Sequence, residues 1–66
     1  MITAVFKKDL LDTKENILVM SHPLEGSSKM ISKMEQIKKC PVKCNSMGYY
    51  LVEIRQSTKE DLSIVK

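Results

Sequence analysis

The chain predicts a small α+β domain, an antiparallel sheet with one amphipathic helix laid across it, in the order ββαββ. Three features of the sequence predict this: strand-like runs toward both ends, an apolar arc at helical spacing in the middle, and turn chemistry between them. With 66 residues the chain forms one domain over 1–66, because a second core would leave each part too small for burial to offset chain entropy. The 42% hydrophobic content and only two glycines and two prolines argue against disorder.

The opening MITAVFKK reads as a strand with Ile2, Ala4 and Phe6 on one face and Thr3 and Val5 on the other. Asp9, Asp12 and Asn16 punctuate the connection that follows, and NILVM then supplies a second strand. SHPLEG breaks the pattern, since Pro23 drives His22 toward extended backbone and Gly26 tolerates unusual angles. A helix starts at Ser27 or Ser28, whose hydroxyls can cap free amides, and Met30, Ile31, Met34 and Ile37 form its apolar arc. It ends near Cys40, because Pro41 lacks the amide hydrogen that a further turn requires.

Asn45 and Gly48 provide turn chemistry before YYLVEIRQ, the third strand. Simple alternation places Tyr50, Val52 and Ile54 on one face and Tyr49, Leu51, Glu53 and Arg55 on the other. The final STKEDLSIVK is read as a turn and a fourth strand around Leu62, Ile64 and Val65, in preference to a short helix capped by Thr58 with Asp61 reciprocating. An echo between DTKENILV and STKEDLSIV supports the strand assignment.

One helix covers one sheet face. The reverse face would expose Val5, Tyr49 and Leu51, with Glu53 and Arg55 at its polar edge, so the sequence predicts a non-enzymatic protein-interaction module that binds a protein partner or itself as a homodimer. The composition also frames two alternatives. Eleven Lys plus Arg against eight Asp plus Glu give a basic chain of net charge +3, with Lys29, Lys33, Lys38, Lys39 and Lys43 able to meet phosphates and Tyr49 able to stack on a base. Only one of those cations is arginine, which weakens base-specific readout. In projection Lys29 and Lys33 flank the apolar arc on one side, Lys38 on the other, and Lys39 lies behind, which is the arrangement of stems covering the rim of a core-facing helix.

The second alternative is sulfur or metal handling by Cys40 and Cys44. Their spacing differs from the CxxC pair of redox proteins, and a closed zinc site needs four ligands where the chain offers two cysteines and distant His22. No metal or other cofactor is therefore expected, and the cysteines are read as free thiols. His22 lacks a nucleophile placed by any motif, and SHPLEGSS lacks the spacing of a phosphate-binding loop, so no catalytic residue is assigned. The N-terminal segment lacks the pattern of a secretory signal and no apolar run spans a bilayer, so a cytoplasmic protein without a membrane partner is expected.

Overall fold

A computed structural model describes residues 1–44 and 46–64. Its elements are β1 (Ile2–Lys7), β2 (Asn16–Met20), α1 (Ser28–Lys39), β3 (Val42–Cys44), β4 (Tyr49–Gln56) and α2 (Lys59–Ile64). The four strands form one antiparallel sheet in the order β2-β1-β4-β3, which leaves β2 and β3 at its edges. The α+β class stands, with a second helix in place of a final strand.

That difference has a local cause. The Asp61 N–H donates to Thr58 Oγ1 at 3.1 Å while the Thr58 N–H donates to Asp61 Oδ2 at 3.0 Å, a reciprocal cap that starts α2. Capping outweighs the strand preference of the branched residues, and the echo with residues 12–19 joins a strand to a helix. Leu62 and Ile64 are exposed on α2, whereas Val65 and Asn45 lie outside the described residues. The fourth strand is instead β3, three residues directly after Pro41, paired with the start of β4.

α1 forms where the apolar arc places it. Ser27 Oγ accepts the Met30 N–H at 3.2 Å and itself donates to the Leu24 carbonyl at 2.6 Å. The Cys40 N–H closes the last turn on the Gln36 carbonyl at 2.9 Å, and Pro41 stops further propagation. Met30 and Ile37 are buried, seating the helix over β4.

The sheet's faces follow from its register, because residues paired across neighbouring strands project to the same side. Ile2, Ala4 and Phe6 pair with Gln56, Ile54 and Leu51. Leu51 also pairs with Val42, and both border Ile37 of α1, so this is the helix-covered face. Thr3 and Val5 pair with Arg55 and Glu53, and Lys7 with Tyr50, on the reverse face. The register shifts between Val5 and Phe6, where β4 carries one extra residue, Val52, opposite β1.

That bulge corrects the alternation expected for YYLVEIRQ. Leu51 moves onto the side of Ile54 beneath the helix, while Glu53 and Arg55 stay on the other side with Val5. The reverse face is not left bare either. Val5 and Thr3 are both 0% exposed, and α2 meets the sheet on this side through Asp61.

Candidate functional site

The described residues offer three places where side chains of different elements converge. The first is a groove of about 400 Å³ between α1 and the β3–β4 pair, lined by Lys33, Gln36, Ile37, Cys40, Val42 and Leu51. Each part has a local origin. Helical spacing brings Lys33, Gln36, Ile37 and Cys40 to one flank of α1. Cross-strand pairing sets Val42 beside Leu51, and the bulge at Val52 turns Leu51 toward the helix. Pro41 ends α1 and sends the chain directly into β3, so Cys40 and Val42 follow one another along the groove. Its floor is apolar, its rim carries one ammonium and one amide, and Val42 is 51% exposed along it.

The second is a smaller recess of about 230 Å³ formed by Lys8, Asp12, Lys14, Asn16 and Tyr49. The turn after β1 builds one wall: Asp9 accepts the Leu11 N–H through Oδ1 at 3.0 Å and the Asp12 N–H through its carbonyl at 3.0 Å. This brings two lysines and an aspartate to the start of β4, where Tyr49 stands.

The third is the buried polar cluster around Asp61, which is 2% exposed. Arg55 donates from Nη2 to Oδ1 at 2.7 Å and from Nε to Oδ2 at 3.1 Å, a two-point contact. Thr3 Oγ1 donates to Oδ2 at 3.1 Å and shares a 2.8 Å hydrogen bond with the Ser57 hydroxyl. Arg55 Nη1 also reaches Glu53 Oε1 at 3.0 Å. The Arg55 hydrogen bond, reinforced by the Thr58 N–H, holds the Asp61 carboxyl far below the usual carboxylate range, and the same pair raises Arg55 above its ordinary value. Both carboxylate oxygens of Asp61 are engaged within the protein, so the cluster fastens α2 to the sheet.

These positions divide the residues grouped by the sequence. Of Val5, Tyr49, Leu51, Glu53 and Arg55, Val5 is in the core, Leu51 lines the groove, Tyr49 stands in the polar recess, and Glu53 with Arg55 is engaged around Asp61. They do not make one surface. Among the lysines, Lys33 borders the groove, Lys29, Lys38 and Lys39 are exposed on α1, and Lys43 Nζ sits 5.8 Å from the centre of the Tyr50 ring. Tyr49 keeps company with Lys8 and Lys14 rather than with the helix lysines.

Cys40 is an exposed free thiol and Cys44 a half-buried one. No group of three or more His, Cys, Asp or Glu side chains suited to a metal occurs among the described residues. His22 closes a turn, its Nδ1 accepting the Leu24 N–H at 3.1 Å. No helix among the described residues is long and apolar enough to cross a membrane. Val42 of the groove and Lys8, Asp12, Lys14 and Asn16 of the recess were beyond sequence reasoning, because each joins its site through strand pairing or a turn. The Thr58-to-Asp61 cap spacing was the one visible signal for the third cluster. Comparison with protein-family models, with curated proteins and with solved structures finds no match to this chain.

Proposed function

We propose that the protein is a non-enzymatic protein-interaction module whose recognition surface is the groove between α1 and β3–β4. The observation that supports this reading most is the apolar lining of Ile37, Cys40, Val42 and Leu51, open to solvent and bordered by Lys33 and Gln36. An apolar centre with a polar rim is the anatomy of a protein interface. The partner is a segment with one or two apolar side chains flanked by an acidic residue that meets Lys33. Selection of displayed peptides against the protein, counter-selected with the Val42→Glu variant, tests this. Val42 is half exposed on an edge strand, so the variant folds while placing a carboxylate at the groove's mouth. Acidic-apolar peptides that lose at least about tenfold in affinity for the variant are expected, from the repulsion and desolvation of the added charge. A selection that yields only peptides indifferent to it contradicts the reading.

The polar recess favours a second reading, single-stranded nucleic-acid binding, with Tyr49 as a stacking platform and Lys8 and Lys14 on the phosphates. It differs from the helix-lysine arrangement and predicts affinity for a short oligonucleotide that falls steeply with salt and is lost with Tyr49→Ala. No detectable binding at low salt would remove it.

A further inference from the structure

The outer edge of β2 is built for pairing. Asn16–Met20 carries no charge, no proline and no bulge, and pairs with β1 along its whole length. Among the described residues, no turn, loop or side-chain hydrogen bond reaches the backbone of these five residues from the other side. The opposite edge of the sheet is protected as soluble proteins protect theirs: β3 is three residues long, follows Pro41 and presents Lys43. β2 has none of these devices, and α2 approaches it from the reverse face, leaving its outer side unpaired.

The side chains beside that edge point the same way. Leu18 pairs with Ala4, which places it on the α1 side of the sheet, yet it is 50% exposed because the helix sits over β4 rather than over the sheet's middle. On α1, Lys33, Gln36 and Cys40 face β3, and Ile31 lies about 200° around the helix from Lys33, on the flank toward β1 and β2. Ile31 is 52% exposed. An unpaired edge and two half-exposed apolar side chains, Leu18 and Ile31, therefore lie on the same side of the sheet.

We infer that β2 pairs antiparallel with β2 of a second copy about a two-fold axis, joining two four-stranded sheets into one of eight strands. A second copy fits for three reasons. An antiparallel pair of identical strands is closed by a two-fold, so the contact ends at a dimer. The strand is uncharged, and the helix flank beside it carries Glu35 and Lys38, of opposite sign, so two copies approach without a dominant like-charge repulsion. A stable interface needs about 800 Å² from each partner; five edge residues are too narrow for that, and Ile31, exposed on α1 on the same side of the sheet, widens the contact. This adds self-association to the interaction module proposed above and uses a surface separate from the groove.

The test is mass in solution across protein concentration for the wild type, Leu18→Lys, Ile31→Lys and Val42→Glu, with amide hydrogen exchange over residues 16–20. Expected is a wild-type mass rising toward twice 7.5 kDa, slowed exchange at alternate amides of β2 on dimerisation, and dimerisation weakened by about tenfold or more in Leu18→Lys, which sets like charges across the two-fold. Ile31→Lys, on a solvent-exposed helix position, weakens it without touching the strand, and Val42→Glu leaves it intact. A wild type that stays monomeric at millimolar concentration overturns the inference, as does a dimer abolished by Val42→Glu but not by Leu18→Lys. Neither result bears on groove recognition, which is read by peptide binding to the same Val42→Glu variant.

Discussion

Asp61 organises the second half of the molecule through four donors on one carboxylate, two from Arg55, one from Thr3 and one from the Thr58 amide. Because its pKa in the folded state lies below the ordinary value of about 3.9, its contribution to stability is complete above that value and is lost as pH falls toward the folded value. Urea unfolding at a series of pH values should show the midpoint declining from about pH 5 downward. In Asp61→Asn, which keeps the shape but removes the charge, the midpoint should be lower at neutral pH and its acid dependence shallower. An unchanged acid dependence would mean that the pair with Arg55 contributes nothing to folding. The Thr58-to-Asp61 spacing was legible in the sequence as a helix start. The reach of Arg55 to the same carboxylate was not, since it depends on how far the chain turns after Gln56.

At the scale of elements, α1 was legible because three independent signals coincide: Ser27 as cap, Met30 and Ile37 on one arc, and Pro41 as the stop. Each can be weighed. Ser27→Ala removes the acceptor for the Met30 amide and should cost about 1 kcal/mol, whereas Ile37→Ala empties a core position and should cost about 2–5 kcal/mol. Thermal or denaturant unfolding of the two variants checks the ranking, and equal losses would indicate that α1 is held mainly by its end. β1, β2 and β4 were legible from alternation and apolar runs. The bulge at Val52 was not, because one additional residue in an otherwise regular pattern leaves no compositional mark. It alone separates Leu51 from Glu53 and Arg55. β3 was hidden for a related reason, since VKC gains strand geometry only by pairing with β4. α2 went the other way: six residues are too few for a helix to persist alone, and the tether from Asp61 to Thr3 and Arg55 holds it.

For the whole molecule, the placement of the two helices decides which surfaces remain available. α1 sits over β4, so it forms a groove with β3 on one flank and leaves Leu18 and Ile31 uncovered on the other. α2 closes part of the reverse face, where the sequence placed the interaction surface. On the helix side of the sheet, exposed apolar side chains lie in the groove and along β2; others lie in the loops, Leu11 among them, and on α2. Groove recognition therefore depends on Leu51 facing α1, which the phase change at Val52 brings about. Nuclear Overhauser contacts of the Leu51 methyl groups in the folded protein test this most directly. Contacts from Leu51 to Ile37 and Val42, with none to Val5 or Arg55, are predicted; contacts to Val5 and Arg55 in place of Ile37 would contradict the account.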